Sequence, residues 1–598
     1  MRRPQRRGTP ADAEGATMTD PGRRRAAVVT GGGGGIGTAV AVELARRGVA
    51  VVAMDPGVGV QGEPLNEPTA AQTARRITAE GGVARASTAS VTDQAAVRSL
   101  LAEVAGEFGA VDIVVNTAGI LRFASFLDAS EDDWRAVLDV HLNGYLNVLA
   151  EALPLMTAAG YGRIVGVTSG AGLARAAGDG AAYACAKRAV AAVTWQLAEA
   201  LPDGVALNAL SPLAATRMTT RAVTRPDADR APGSLDLSGL PPARDMAQAA
   251  AFLASEEAGS CRGQVIFSAG PELSVISPPR LLEAVRTCDA ADFAASLDTL
   301  VPVVLGPAEA GQRPTGGANA RFGPVFDQPG TTGPVPAPAG SAARNCLVIS
   351  ANPGIARSLA AALARCGLTA VDLAGQPLAG QPLAGQPLAG QPLTGQSAPG
   401  QPARLPAGFA AADQALQRAA HAAGGIDAVV IAPGPFAAAD PGAASWPRLL
   451  AGYSATADHV LDHAGWLQAA ARQAVRTSRP VRVMHLADAT SPSLRAAAQA
   501  VAQLARCASL VRPGLIDVFS VAVETADPAD HQPVAHLAAR MLWSGDASAL
   551  RGAEMLARPG WIGIRSHPAP AATASYGTSA IPPWIGDWLR ESVPLPGR

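Results

Sequence analysis

A tyrosine and a lysine four residues apart, Tyr183 and Lys187, have the types and spacing that proton-transfer chemistry needs. Lys187 is the only lysine in a chain of 598 residues whose lysines and arginines together number 48, and Tyr183 is one of 5 tyrosines. An ammonium is a compact point charge whereas guanidinium is a planar fork, so a site that needs a small cation rejects arginine. A helix places residues four apart on one face. There an ammonium favours the ionised phenol and brings its pKa toward the working range of a proton exchanger.

The elements that must position this pair begin with two short apolar runs on either side of a glycine cluster. Residues 26–29 are predicted to form a buried strand, residues 38–47 a helix, and residues 49–54 a second strand that ends at Asp55. Glycines let the main chain approach a pyrophosphate closely, and a helix N-terminus offers amide donors and a positive dipole. This order predicts a βαβ unit that binds a dinucleotide.

Asp55 bears on which dinucleotide binds. A carboxylate at the tip of the second strand accepts hydrogen bonds from both ribose hydroxyls and repels a 2′-phosphate. No basic residue lies between Gly31 and Thr38 to hold such a phosphate. The sequence therefore favours NAD over NADP.

With these motifs in place, the first half resembles a short-chain dehydrogenase/reductase of the NAD-dependent kind. The TGxxxGIG loop of that family, its NNAG stretch, its catalytic serine, its YxxxK pair and its proline motif all occur in order. The matching positions are Thr30, Gly31, Gly35, Ile36 and Gly37; Asn116, Ala118 and Gly119; Ser169; Tyr183 and Lys187; and Pro212 and Thr216. The resemblance implies a Rossmann-type fold and assigns the glycine loop, Asn116, Ala118, Gly119, Pro212 and Thr216 to the cofactor.

Two positions depart from the family pattern. Ser90, followed by Val91, stands where an aspartate usually contacts the adenine, so that contact is expected to be weaker or to come from the main chain. His141 stands where the asparagine of the proton relay is usual, and Asn143 falls on another helix face. His141 either orders a relay water or caps a helix kink. Relatives of the hydroxyacyl-CoA dehydrogenases of multifunctional β-oxidation enzymes look similar at this position.

The resemblance also implies a mechanism. Tyr183 exchanges the hydroxyl proton as hydride moves between the carbinol carbon and nicotinamide. Ser169 donates a hydrogen bond where oxyanion charge develops. Lys187 holds the ribose hydroxyls and lowers the pKa of Tyr183. With His141, these residues form the expected catalytic set.

The second half repeats the first in outline. NCLVISANPGIARSLAAALARCGLTAVDL again predicts strand, turn, helix and strand, and IDAVVIAPG, PVRVMHLADAT and LIDVFSVAV follow where the first half has its later strands. No lysine follows Lys187, and no tyrosine lies between Tyr453 and Tyr576, so this copy lacks the YxxxK pair. We therefore predict an α/β protein of two tandem doubly wound parallel sheets, the second one degenerate and catalytically dead.

The domain boundaries follow from composition. Residues 1–22 form a polar tail in which Met18 is an alternative start, residues 23–305 the catalytic domain, and residues 306–343 a Gly/Pro/Ala-rich linker. Residues 344–565 form the degenerate domain, which carries a disordered AGQPL repeat insertion over residues 374–403, and residues 566–598 a C-terminal tail.

Bulk properties exclude several classes of protein. A net charge of −1 and a pI near 6.7 argue against nucleic-acid or membrane partners, and no apolar run reaches bilayer length. The 6 cysteines show neither metal-ligand spacing nor a disulfide framework, so no metal is expected and a cytoplasmic location is favoured. The expected partners are a small-molecule substrate and further copies of the chain, with the second half serving as an intrachain pseudo-subunit.

The substrate and the alternative functions stay open at this stage. Residues 213–242 are expected to form a substrate lid whose Arg217, Arg221 and Arg225 either meet an acidic substrate or are merely solvated. A secondary alcohol or a 3-hydroxyacyl thioester is the leading substrate class. The alternatives are an NADP-linked ketoreductase of fatty-acyl or polyketide type, and a dinucleotide-binding scaffold or sensor.

Overall fold

The computed structural model describes residues 23–66, 69–173, 180–216, 218, 240–286, 344–378, 405–437, 445–543, 547, 550–577 and 580–592. The predicted N-terminal tail, the linker, most of the AGQPL insertion and the three lid arginines lie outside these residues. Two mostly parallel sheets flanked by helices lie within them, one in each half. The predicted α/β fold of two tandem Rossmann-type sheets is thus confirmed.

The first half alternates strands and helices up to a closing run of strands. Its elements are β1 Ala26–Thr30, α1 Gly35–Arg46, β2 Ala50–Met54, α2 Thr69–Ala79, β3 Ala84–Ser87, α3 Gln94–Phe108, β4 Ile113–Asn116, α4 Glu131–Leu138, a π-helical turn Asp139–Asn143, α5 Gly144–Ala159, β5 Gly162–Val167, α6 Gly170–Leu173, α7 Ala181–Leu197, β6 Val205–Pro212, α8 Ala243–Leu253, β7 Val265–Ala269, β8 Glu272–Ser277 and β9 Leu281–Arg286.

The second half follows the same plan. Its elements are β10 Arg344–Ser350, α9 Pro353–Arg365, β11 Leu368–Val371, α10 Phe409–Ala422, β12 Ala428–Ala432, α11 Trp446–Gly452, α12 Thr456–Thr477, β13 Val481–Asp488, α13 Pro492–Ala508, β14 Ile516–Val523, α14 His531–Trp543, β15 Glu554–Arg558, β16 Trp561–Arg565, β17 Ala569–Ser575 and α15 Ile585–Ser592.

Strand order brings the carboxyl ends of β1, β4 and β5 side by side. The first sheet runs β17-β8-β7-β6-β5-β4-β1-β2-β3, and it is parallel from β7 to β3. The second sheet runs β11-β10-β12-β13-β14-β15-β16-β9 and is parallel from β11 to β15. The central strands β1, β2 and β4 are buried along their whole length and apolar except for Thr30 and Asn116 at the ends of β1 and β4, as expected for a parallel sheet covered by helices on both faces.

Each half gives one edge strand to the other half. β9, from the first half, pairs antiparallel with β16 at the edge of the second sheet. β17, from the second half, pairs antiparallel with β8 at the edge of the first sheet. The helix after β17, α15, buries Ile585 and Leu589 among side chains of the first half such as Phe252.

This exchange differs from the expected division of the chain. The segment 566–598, expected as a tail, supplies a strand and a helix to the first half, and residues 281–286 leave the first sheet for the second. The physical reason is that the added strands give β8 and β16 antiparallel partners, so neither strand is left as an open edge.

A continuous hydrophobic core joins the two halves. Helix α7 runs along α13, and α12 contacts α4. Side chains from both halves, among them Tyr145, Val190, Leu467 and Leu504, belong to one buried cluster. The helix that carries Tyr183 and Lys187 is therefore covered by the second half. Within the described ranges, no helix has the length and apolar character that crossing a bilayer requires.

Candidate active site

The glycine loop between β1 and α1 is folded too tightly for side chains. Gly31 has a φ of +63°, and a Cβ there would lie 2.9 Å from the main chain of Ala118. A Cβ on Gly37 would lie 2.1 Å from the Gly31 carbonyl oxygen. Gly34 caps α1 without any side-chain hydrogen bond to its first amides. The helix therefore begins with unblocked amide groups, which suit an anionic ligand.

Two buried polar residues support this loop from beneath. The Thr30 hydroxyl donates to Asn116 Oδ1 at 2.7 Å, and the Ala118 amide donates to the Thr30 hydroxyl at 3.2 Å. These bonds join the ends of β1 and β4. Thr30 and Asn116 thus shape the site without lining its cavity.

One cavity of about 790 Å³ lies at the carboxyl ends of the first-sheet strands. It brings together the other residues singled out from the sequence. They are Gly31, Gly35, Ile36, Gly37, Asp55, Ser90, Val91, Ala118, Gly119, His141, Ser169, Tyr183, Lys187, Pro212 and Thr216.

Ser169, Tyr183 and Lys187 meet where β5 ends against α7. Ser169 and Tyr183 line the same cavity, and the Ser169 side chain is near enough to the phenol to favour its ionised form. Lys187 Nζ lies 5.7 Å from the centre of the Tyr183 ring and donates to the Val167 carbonyl oxygen at 2.6 Å. The buried Thr168 hydroxyl donates to the Lys187 carbonyl oxygen at 2.6 Å. These bonds to the end of β5 fix the turn of α7 that carries the pair.

The charge states around the phenol differ from the expectation. Burial raises the pKa of Tyr183, and Ser169 only partly opposes this. Burial also lowers the pKa of Lys187 to about 7. Burial and Ser169 are the causes that act on the Tyr183 pKa in this structure, and Lys187, whose ammonium was expected to lower that pKa, is itself desolvated.

His141 lies in the π-helical turn between α4 and α5, beside the phenol. Its ring is perpendicular to that of Tyr183, with centroids 5.0 Å apart. Nε2 lies 2.7 Å from the Ile120 carbonyl oxygen, whereas Nδ1 is buried without a hydrogen-bond partner. Burial first, and then the Lys187 charge, hold the pKa of His141 well below its usual value. Gly119 has no side chain because a Cβ there would lie 2.4 Å from the imidazole.

Asp55 faces the cavity with its carboxylate held by main-chain amides. Oδ2 accepts from the Gly33 amide at 3.1 Å, and Oδ1 accepts from the Gly57 amide at 2.8 Å. The side chain of Ser90, by contrast, bonds to Thr92, at 2.8 Å between the hydroxyl oxygens. The hydroxyl of Ser90 is therefore already engaged locally.

The sequence did not predict that the loop after β2 forms one wall of the cavity. Residues 56–62 fold back through a bridge between Val58 and Pro64, and the Leu121 amide donates to the Val60 carbonyl oxygen at 2.7 Å. Arg122 and Phe123 extend this wall. Only the glycines of GVGVQG signalled a tight fold here, and nothing local indicated that the loop lies against the chain after β4.

The corresponding region of the second half is filled by its own chain. Phe436 is buried at a φ of 49°, and its amide donates to Asp488 Oδ2 at 2.7 Å. Asn352, in the position of the glycine loop, donates from Nδ2 to the Pro435 carbonyl oxygen at 2.9 Å. The segment after β12 thus occupies the space between the counterparts of the glycine loop and Ser169.

Comparison with known proteins places the first half in a defined group. A family model described as short chain dehydrogenase matches residues 25–227. Hydroxyacyl-CoA dehydrogenase ChsB1 of Mycobacterium tuberculosis is 34% identical over 267 residues, which cover 43% of this chain and 81% of that protein. Short-chain reductase protein NovJ of Streptomyces niveus is 33% identical over 266 residues, covering 43% of this chain and 97% of its own length. A solved short chain dehydrogenase from Mycobacterium avium is 32% identical with a TM-score of 0.37, covering 43% of this chain and 88% of that one.

Proposed function

Because this chain belongs to the short-chain dehydrogenase/reductase family, we propose that its first half is an NAD-dependent oxidoreductase that moves hydride between a secondary alcohol or ketone and nicotinamide. The observation that carries this proposal is that Ser169, Tyr183 and Lys187 line the same cavity as the glycine loop, with Lys187 Nζ 5.7 Å from the centre of the Tyr183 ring. A 3-hydroxyacyl or 3-oxoacyl thioester is the proposed substrate class, since one relative is named a hydroxyacyl-CoA dehydrogenase.

The cavity fits a dinucleotide on its own geometry. The unblocked amides at the start of α1 would hold the pyrophosphate, and the crowding around Gly31 and Gly37 keeps side chains out of that path. Asp55 and Lys187 would hold the ribose hydroxyls. A nicotinamide bound there supplies the hydride donor or acceptor.

The protein's own groups would handle the proton. With its pKa raised by burial, Tyr183 is a protonated phenol at neutral pH, which suits donation to a carbonyl oxygen in the direction of reduction. In the direction of oxidation, the alcohol proton passes to Tyr183 once the phenol has been deprotonated. Ser169 donates a hydrogen bond to the same substrate oxygen.

We propose a relay role for His141. Its ring is neutral, and in the tautomer whose Nε2–H donates to the Ile120 carbonyl oxygen, the buried Nδ1 has a lone pair on the side of the ring near the phenol. In that tautomer Nδ1 would accept a hydrogen bond from a water molecule that links it to the phenol. The contact of Nε2 with Ile120 holds the ring in this orientation.

Steady-state assays would test the proposal. NADH formation would be followed with a panel of 3-hydroxyacyl-CoA thioesters and simple secondary alcohols. Tyr183→Phe is expected to lower kcat by about 100- to 10,000-fold while the protein still binds NAD. Tight NAD binding without turnover of any substrate would favour the sensor function instead.

NAD is the proposed cofactor because Asp55 keeps its carboxylate in the cavity. The cavity also contains Arg122, but this cation lies 3.6 Å from Asp133. NADH should bind at least about tenfold more tightly than NADPH. In Asp55→Asn, the ratio of the two dissociation constants should be smaller. Equal dissociation constants for the two cofactors in the unmutated protein would contradict this assignment.

We further propose that the second half takes the place of a partner subunit. Family members usually associate through the fourth and fifth helices of the family fold, a count that differs from the helix labels used for this chain. In this chain, α7 and α5 of the first half contact α13 and α11 of the second half. Whether whole chains also assemble into homo-oligomers is a separate prediction, which the mass of the particle in solution would test.

A further inference from the structure

We propose that Gln503, a side chain of the catalytically empty half, is a positioning residue for the hydroxyl of Ser169. This inference rests on the function proposed above and assigns part of the active site's geometry to the second half. Gln503 lies on α13 and is 1% exposed. Its Nε2 donates to the Ala171 carbonyl oxygen at 2.6 Å.

The carbonyl groups at the end of the turn that follows Ser169 need hydrogen-bond donors from outside the turn. Helix α6 is four residues long, and the last carbonyls of a helix have no partner within the helix. The second half supplies those partners, because Gln503 bonds to Ala171 and Arg506 Nη1 donates to the Leu173 carbonyl oxygen at 3.2 Å. Two side chains of α13 thus cap this turn.

The turn is held between two helices without spare room. A Cβ on Gly172 would lie 2.5 Å from the Arg188 amide nitrogen on α7. The main chain of α6 therefore lies directly against the helix that carries Tyr183 and Lys187, with α13 on its other side. If Gln503 is lost, the turn loses one of its two side-chain caps from α13, the one nearer to Ser169.

The loss of Gln503 would affect the reacting groups through Ala171. The Ala171 amide donates to the Ser169 hydroxyl oxygen at 3.3 Å, and Ser169 lines the cavity together with Tyr183. Gln503 holds the carbonyl of the same Ala171. A shift of Ala171 therefore moves the Ser169 hydroxyl relative to the phenol and to the substrate oxygen.

Gln503→Met in the full chain removes the donor at similar side-chain volume. We expect kcat to fall by about 10- to 100-fold with little change in the KM for NAD, since the dinucleotide contacts lie elsewhere. The matched control is Gln468→Met. Gln468 is also a buried interface glutamine, and it donates to the Phe126 and Ala129 carbonyl oxygens at 2.7 and 2.8 Å, away from Ser169. This control is expected to keep kcat even where it lowers the melting temperature.

A double-mutant cycle separates positioning from general weakening of the fold. In a Ser169→Ala background, Gln503→Met should cause little further loss of kcat, because the hydroxyl that it positions is gone. Additive losses, or an equal loss of kcat in Gln468→Met, would overturn the proposal.

Amide hydrogen exchange of the peptide containing residues 169–173 gives a readout that needs no turnover. Gln503→Met should speed exchange there, whereas Gln468→Met should not. Unchanged exchange in Gln503→Met would overturn the inference even in an active enzyme. Faster exchange in a protein that turns over no substrate would instead count against the proposed function alone.

Discussion

Lys187 is a buried ammonium whose one described hydrogen bond goes to the Val167 carbonyl oxygen. It is 4% exposed, and burial lowers its pKa from 10.5 to about 7. Between those values the unfolded chain binds a proton that the folded chain does not. The free energy of unfolding that depends on this group therefore rises with pH from about 7 to 10.5 and is lowest at acidic pH.

Lys187→Met should accordingly stabilise the fold near neutral pH while removing activity. The quantity to compare is the free energy of unfolding of Lys187→Met minus that of the unmutated protein. This difference is expected to decrease by roughly 4 kcal/mol between pH 7 and pH 10, because the unmutated protein gains stability over that range. Urea denaturation at several pH values would measure this trend.

Lys187→Arg is the matched control because arginine stays protonated over this range. It should lose activity as well, yet its unfolding free energy should lack the rise with pH. A Lys187→Met variant that is less stable than the unmutated protein at pH 7 would contradict the burial argument.

Individual residues also show which features of the site could be predicted from the sequence. Tyr183, Lys187 and Ser169 could be placed because their spacing fits one helix face and one strand end. The direction of the tyrosine pKa could not, since it depends on burial by parts of the chain that are distant in the sequence, such as the turn that carries His141. The role of Gln503 could not be predicted either, because this residue belongs to no motif and acts through contacts with the other half.

At the scale of elements, α7 is tied to the second sheet by an ion pair that water does not reach. Arg188, next to Lys187, donates to Glu554 Oε1 on β15 at 2.6 Å, and the two side chains are 0% and 1% exposed. Arg188 Nε also donates to Gln499 Oε1 at 3.2 Å. Removing one partner of such a pair leaves an uncompensated charge in the interior.

Glu554→Gln should therefore lower the free energy of unfolding by about 3–5 kcal/mol, as measured by chemical denaturation. The double variant Arg188→Met with Glu554→Leu should recover most of this loss, because apolar residues of similar volume replace the pair. If the double variant were as unstable as Glu554→Gln, packing rather than charge would dominate at this position.

The elements themselves were largely predictable. The order of strand, glycine turn, helix and strand could be derived in both halves from apolar periodicity and glycine placement. The π-helical turn at residues 139–143 could not, since its i→i+5 main-chain bond from the Gly144 amide to the Asp139 carbonyl oxygen is not signalled by the apolar periodicity.

At the scale of the whole molecule, the exchanged strands make the two halves one unit. A fragment that ends at residue 305 would carry β9 without its sheet and would lack β17, and would expose the face that α12 and α13 cover. We expect that fragment to aggregate. The exchange escaped prediction because the apolar runs of β9 and β17 do not specify which sheet they join.

Cutting the full chain between the halves should have a different result. With a protease site inserted in residues 306–343, the cleaved chain should elute as one particle of unchanged size and keep its activity. Two strand pairings and a shared core hold the pieces together. Separation of the pieces under native conditions, seen by size-exclusion chromatography, would contradict this expectation.

The wide separation of β8 and β17 along the chain has a consequence for synthesis on the ribosome. The first sheet acquires this outer strand only after residues 569–575 have been translated, although its central strands are made long before. Until then β8 has a free edge, although α13, the helix that covers α7, has already been translated. Between the synthesis of β8 and that of β17, the nascent first half is thus exposed to association with other chains through this edge.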